Sequence, residues 1–254
     1  GEGRTNVFAR RAAPIQVNYL GFPGTMGATY MDYIVADRRV IPEADRSCYE
    51  EKVVYLPDCY QANDRKRRVA ETVFDRAMLG LPEDGFVFCC FNNNYKIMPA
   101  MFDCWVRILR RVPNGVLWLL EDNSEAKANL CREAAARGLD PARIVFAGRM
   151  PVADHLARHA CADLFLDTLP YNAHTTGSDA LWAGLPVLTC VGNSFAGRVA
   201  ASLLDNVDLP ELITNSYGDY EERAVEFAAH PERLAGLRQR LIANRLTARL
   251  FDTE

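Results

Sequence analysis

The chain has 254 residues, 49% hydrophobic and 24% charged, which is room for one large α/β domain or two small lobes. That ordinary globular composition excludes disordered, collagen-like and coiled-coil chains. Lys and Arg number 29 against 33 Asp and Glu, a net charge of −4, which argues against nonspecific nucleic-acid binding. No apolar run approaches the roughly 20 residues of a membrane span.

The N-terminus, Gly1-Glu2-Gly3-Arg4-Thr5, has no initiator Met and no apolar signal segment, so the chain is expected to be an internal piece of a longer one. Eight cysteines lie without CxxC spacing, and the neighbours Cys89 and Cys90 project to opposite faces of any strand. They are expected to be reduced, buried hydrophobes of a cytoplasmic protein.

In chain order, the first apolar runs are Ile15-Gln16-Val17-Asn18-Tyr19-Leu20, Tyr33-Ile34-Val35-Ala36 and Lys52-Val53-Val54-Tyr55-Leu56, each read as a strand. The basic run Asn63-Asp64-Arg65-Lys66-Arg67-Arg68 reads as a solvated linker or helix start. A boundary is expected between about Cys59 and Leu81, giving a first unit at 1–57, a linker at 58–81 and a second unit at 82–254. From there short apolar strands at 86–91, 116–120, 144–147, 164–166 and 187–189 alternate with amphipathic helices near 99–111, 124–137, 153–160, 175–183 and 196–204. Two further helices near 220–229 and 232–246 close the chain. Strands separated by helices of this length imply right-handed crossovers and a parallel sheet covered on both faces. Ligands of such sheets bind at the carboxyl ends of the strands.

Four motifs sit at those ends. Pro170-Tyr171-Asn172-Ala173-His174-Thr175-Thr176-Gly177-Ser178-Asp179 follows a strand and opens a helix. The free N–H groups of Thr175, Thr176 and Gly177 and two hydroxyls suit a diphosphate. Gly177 lets a phosphate approach the backbone, and Asp179, one turn in, is placed to accept from ribose hydroxyls; the plain alternative is an ordinary capped helix. Phe91-Asn92-Asn93-Asn94-Tyr95-Lys96 puts amides and a cation beside it, with Lys96 as a point charge for phosphate or as an exposed loop lysine. Leu20-Gly21-Phe22-Pro23-Gly24 is a glycine-rich turn open to positive φ or close backbone approach. Phe146-Ala147-Gly148-Arg149-Met150-Pro151 precedes His155 and Arg158, which share a helix face that either looks into the cleft or carries a packed His and a solvated Arg. Metal-peptidase, Walker and GxSxG templates are absent from the sequence; fixed donors without a metal or cofactor remain.

Together these motifs resemble the catalytic region of the protein O-linked N-acetylglucosamine transferases, bacterial SPINDLY-like members included. The likeness runs through residues 14–25, 92–96, 112–120, 174–184 and 198–202. It implies an α/β fold of GT-B type, with a complete C-terminal Rossmann-like lobe and the end of the N-terminal lobe. It also implies inverting, metal-independent transfer of N-acetylglucosamine from UDP-GlcNAc to Ser or Thr of acceptor proteins. By resemblance, Lys96 neutralises the departing diphosphate, and Asn93 stands as an amide beside the phosphates. His174, Thr175 and Thr176 cradle the pyrophosphate, and Asp179 holds ribose. Met150, His155 and Arg158 lie by ribose and uracil, and Leu20, Gly21 and Pro23 line the sugar pocket. Val152 stands where animal members carry a Lys. The family's upstream histidines and tetratricopeptide repeats precede this region, and its closing helix lies beyond Glu254, so the chain alone is expected to bind nucleotide and transfer nothing. The alternatives are O-fucosyl transfer from GDP-fucose, which residues 147–158 would decide at the base edge, and a nucleotide-sugar-binding scaffold without turnover.

Overall fold

The computed structural model describes residues 4–252; the terminal residues on which the reading of an internal piece rests, Gly1 to Gly3 and Thr253 to Glu254, lie outside them. Two parallel sheets organise the chain. β1 (Val17–Asn18), β2 (Tyr33–Ala36) and β3 (Lys52–Tyr55) form a three-stranded sheet in that order. The second sheet is built from β4 (Val87–Cys90), β5 (Val116–Leu120), β6 (Ile144–Ala147), β7 (Leu164–Leu166), β8 (Val187–Cys190) and β9 (Ile213–Thr214). Their order is β6-β5-β4-β7-β8-β9, all neighbours parallel.

The connecting helices are α1 (Pro99–Arg111), α2 (Ser124–Ala136), α3 (Val152–Arg158), α4 (Thr175–Trp182) and α5 (Val199–Asp205), followed by α6 (Tyr217–Ala229) and α7 (Pro231–Asn244). They cover the sheet, and all four residues of β4 are buried, as parallel strands require. α1 shows why the elements form where they do. Pro99 takes the first helical position, and Met101, Cys104, Trp105, Ile108 and Leu109 make one buried stripe, the spacing of an amphipathic helix. Trp105 Nε1 donates to the Tyr220 hydroxyl on α6 at 3.3 Å. α2 starts on Asn123, whose side chain accepts from Ala126 N–H at 2.7 Å, and Gly138 follows it with φ +69°, a left-handed stop that glycine adopts without strain.

Three differences from the sequence reading have local causes. The strand expected over 15–20 shrinks to Val17–Asn18, because Leu20 has φ +59° and Asn18 Nδ2 turns back to Gly24 O at 2.8 Å. α5 begins at Val199 rather than 196, since Ala196 O accepts the N–H of Asn172 at 2.9 Å and so is withdrawn from the helix. β9 has two residues, too few to show periodicity.

α5 is the wall shared by the two sheets. Asp37, buried just past β2, accepts from Ser202 Oγ on α5 at 2.6 Å and from Tyr60 N–H at 2.9 Å. Arg39 pairs with Asp205 at 2.6 Å and Arg198 with Asp45 at 2.7 Å. The basic run 63–68 is not helical, and it is solvated on one side only: Asp64, Lys66 and Arg68 are exposed while Asn63, Arg65 and Arg67 turn inward. Asn63 is buried and accepts from Ser178 Oγ, Arg67 pairs with Asp179, and Trp182 Nε1 donates to Arg67 O at 3.2 Å. The segment is strapped along α4. Among the described residues no helix is long and apolar enough to cross a membrane.

Candidate active site

The order of the six strands changes direction between β4 and β7, and the crevice outside their carboxyl ends is where open α/β sheets bind ligands. At its floor lies Asp167, buried at the end of β7. Its Oδ1 accepts from Thr168 N–H at 2.7 Å and Ala173 N–H at 2.6 Å, and its Oδ2 from Thr189 Oγ on β8 at 2.6 Å. Burial nevertheless pushes the carboxyl up to about 6. Asn92, buried after β4, donates to Thr168 Oγ at 2.8 Å, and Thr168 Oγ donates to Tyr171 O at 2.6 Å. Asn172 Nδ2 closes the loop on Thr168 O at 2.8 Å. These bonds fix residues 168–173 as a rigid frame.

The frame carries Lys96. The lysine ends a short turn, Asn94–Lys96, that Asn93 caps by accepting from Tyr95 N–H at 3.3 Å. Lys96 Nζ donates to Asn172 O at 2.8 Å and lies 4.1 Å from the centre of the Tyr171 ring. Burial lowers its pKa, and the Asp167 carboxylate opposes that. His174 stacks on the same tyrosine, ring centres 4.8 Å apart and planes 24° apart.

α4 starts here. Its first internal bond runs from Ser178 N–H to His174 O at 3.0 Å, which leaves the N–H groups of Thr175, Thr176 and Gly177 with no carbonyl one turn back. Lys96, His174 and Thr175 line a cleft of about 370 Å³ with Leu20, Tyr60 and Tyr171. Leu20 is the residue that brings the three-stranded sheet to this cleft, and the left-handed backbone expected of a glycine in the 20–24 turn falls on Leu20 itself. Gly21 is exposed and Pro23 half-buried in the same turn. A larger hollow of about 450 Å³ lies next to it, sharing Gln61 and Ala62; Arg249 lines it, but neither the start of α4 nor Lys96 does.

Other motif residues have partners that the sequence did not reveal. Thr176 Oγ donates to Asn92 Oδ1, so its hydroxyl proton is committed to the frame. Gly177 is buried, and a Cβ there would lie 3.1 Å from Leu203 Cδ1 and 3.2 Å from Ala173 Cβ; its missing side chain lets α4 pack on α5. Asp179 pairs with Arg67 instead of standing open. Arg158 is 1% exposed and so is not the solvated arginine of the plain alternative. Its guanidinium lies 4.6 Å from the Phe91 ring centre and Nη1 donates to Gly148 O at 2.6 Å. Among the described residues its buried Nε and Nη2 have no acceptor. His155 packs on Phe91 at 5.2 Å and on His159 at 4.8 Å, with Met150 half-buried at the end of the preceding loop. Asp167 and Arg67 were given no site role from sequence, and Asn92 and Tyr171 stood in the motifs as neighbours, without the bonds they make here. A carboxylate closing an apolar strand was the one available signal, for Asp167.

The chain matches the model of glycosyl transferase family 41 over residues 1–72 and 68–254. It belongs to glycosyl transferase family 41. An Arabidopsis thaliana relative, the probable UDP-N-acetylglucosamine–peptide N-acetylglucosaminyltransferase SEC, is 45% identical over 98% of this chain and 26% of its own length. The Caenorhabditis elegans UDP-N-acetylglucosamine–peptide N-acetylglucosaminyltransferase is 28% identical over 99% and 32%. The chain thus spans about a quarter to a third of the length of these relatives. A mutant of the Thermobaculum terrenum O-GlcNAc transferase superposes with a TM-score of 0.82 at 33% identity, covering 93% of this chain and 45% of that one. Anabaena HepE in complex with UDP and glucose shares the fold at a TM-score of 0.57 and 14% identity, over 86% of this chain and 59% of that one. The expected α/β fold of GT-B type is thereby borne out.

The candidate site also fixes an acid response. Burial, the largest cause in each case, pushes His155 down to about 4, His159 to about 3 and His174 to about 4. An unfolded histidine titrates near ~6.5, so each binds a proton on unfolding between about pH 6.5 and 4, and the stability that it contributes above that window is lost as pH falls through it. Asp167, raised from 3.8 to about 6, has the opposite sign over roughly the same window. Asp179, also raised by burial, adds a second group of that sign, and three protons against two still leave net uptake on unfolding, so stability is expected to fall as pH drops from 6.5 towards 4. Urea midpoints at stepped pH check this, and a flat or rising midpoint on acidification contradicts it.

Proposed function

We propose that these residues bind the donor of a protein O-GlcNAc transferase. The enzyme would move N-acetylglucosamine from UDP-GlcNAc to Ser or Thr hydroxyls, with inversion and without a metal. The observation that carries this reading is the convergence, in one crevice, of Lys96 Nζ, the open N–H groups that start α4 and the Thr175 hydroxyl. The names of the family-41 relatives support it. Fixed donors aimed at a leaving diphosphate stabilise the charge that develops as the glycosidic bond breaks. The acceptor hydroxyl then bonds to the anomeric carbon from the opposite face, UDP leaves with the electron pair, and the hydroxyl proton passes to a base or solvent. His155, Arg158 and Met150 would meet the nucleoside, Asn93 the phosphates, and Leu20, Gly21 and Pro23 the sugar. Asp179 would reach ribose while held by Arg67.

Calorimetry with UDP and uridine tests the donor site. UDP is expected to bind more tightly than uridine by about tenfold or more, since charge-assisted hydrogen bonds contribute roughly 1.5–3 kcal/mol each. Thr175→Val should remove much of that difference and leave uridine binding nearly unchanged. Equal losses for both ligands would place the phosphates elsewhere, and binding of GDP-fucose in preference to UDP-GlcNAc would replace the sugar assignment.

A further inference from the structure

Lys96 is a half-buried cation that forms no ion pair among the described residues. Its one protein acceptor is the neutral Asn172 carbonyl. The nearest acid, Asp167, already receives two backbone N–H groups and the Thr189 hydroxyl, so it acts on the ammonium through space. A cation partly withdrawn from water with so few partners is costly unless something else faces it. The group that does is the Tyr171 ring, 4.1 Å from Nζ, well inside the range over which an aromatic quadrupole attracts an ammonium.

That ring is itself held in place. Tyr171 O accepts from Thr168 Oγ at 2.6 Å, Tyr95 meets the ring edge-on at 6.4 Å between centres, and His174 stacks on it. The tyrosine therefore touches both the catalytic cation and the residue from which α4 begins, and it lines the cleft between them. We infer that Tyr171 is a positioning residue that keeps the Lys96 ammonium charged and aimed into the cleft, in register with His174. The inference rests on the donor-site reading above.

The groups that face Lys96 are Asp167 from the end of β7, Cys90 from β4, Tyr95 from its own turn, and Tyr171 and His174 from the loop that opens α4. Asp167 and Cys90 favour the charged lysine, and burial opposes it. Removing the ring takes away a contact that only the charged form makes, so the lysine should lose its proton at lower pH.

The chain has four lysines, Lys52, Lys66, Lys96 and Lys127, so selective 13C-lysine labelling gives a spectrum in which Lys96 is assigned by its loss in Lys96→Met. In the unaltered chain the Lys96 ε-methylene protons are expected upfield of the other three, shifted by the ring current of Tyr171. Tyr171→Leu, close in volume and without a π face, should abolish that shift. It should also lower the Lys96 titration midpoint by about half a pH unit or more and weaken UDP roughly fivefold, with uridine unchanged. Tyr171→Phe keeps the ring and should preserve all three properties. The absence of an upfield Lys96 signal in the unaltered chain overturns the inference, whether or not Tyr171→Leu folds. So does a Tyr171→Phe variant whose Lys96 signal and titration change while its circular dichroism does not. Failure of the unaltered chain to bind UDP, with the Lys96 signal and titration as expected, sinks the donor-site reading instead and leaves the Tyr171–Lys96 coupling in place.

Discussion

Replacing Lys96 with Ala is expected to lower kcat for sugar transfer by about 10² or more, the scale of losing one preorganised electrostatic contact. KM for UDP-GlcNAc should change far less. Charge on the diphosphate grows as the glycosidic bond breaks, so a cation at Lys96 Nζ favours the transition state over the bound donor. The geometry permits this role, because among the described residues one carbonyl engages the ammonium and its other protons remain for a ligand. Steady-state transfer to a Ser/Thr peptide, measured in a protein of the relatives' full length, gives the answer. Near-normal kcat in that variant would remove Lys96 from the mechanism, while an equal change in KM with kcat preserved would reduce it to donor binding.

The second large effect is on stability. Asp167→Ala strips the acceptor from Thr168 N–H, Ala173 N–H and the Thr189 hydroxyl, all of them buried. Leaving a buried donor unsatisfied costs about 1–3 kcal/mol, so the variant should lose roughly 3 kcal/mol or more and melt about 10 °C lower for a chain of this size. Asp167→Asn keeps one acceptor for the two backbone groups and turns an amide towards Thr189, so it should cost less than half as much. Thermal melts of the two variants side by side decide the matter. Equal losses would mean that the charge of Asp167, rather than its hydrogen bonds, holds the 168–173 frame.

The fold was legible where one strand or helix carries its own pattern. β5, β6 and β7 and the helix Pro99–Arg111 fall where the apolar runs and the Pro99 start signal put them. Burial on both faces makes such strands read as continuous apolar segments. Within the candidate site, Leu20, Lys96, His174 and Thr175 do gather on one cleft. What stayed hidden was long-range pairing. Arg67 reaches Asp179 across 112 residues and Thr176 reaches Asn92 across 84, and no local spacing encodes either bond. The burial of Arg158 was hidden for a related reason: the sequence shows a helix-borne arginine but not the Phe91 and Trp118 rings that take its guanidinium inside.

The strapped segment has a bearing on where extra sequence can enter such a chain. Its first mooring ends with Arg67 on Asp179, and the next begins where Ala70 N–H donates to Ala153 O and Arg76 pairs with Asp163. Between and around these ties Arg68, Val69, Glu71, Thr72 and Val73 are exposed. A loop with both flanks anchored and its tip in solvent can be lengthened without moving either anchor, and the entropic cost grows only slowly with length. The two stretches that match the family model meet at residues 68–72. The alignment with the nematode relative runs over 362 positions, more than the 254 residues of this chain. Arg68 and Val69, between the ties at Arg67 and Ala70, are therefore where added length is expected to enter while leaving the crevice built by Asp167, Lys96 and His174 as it stands.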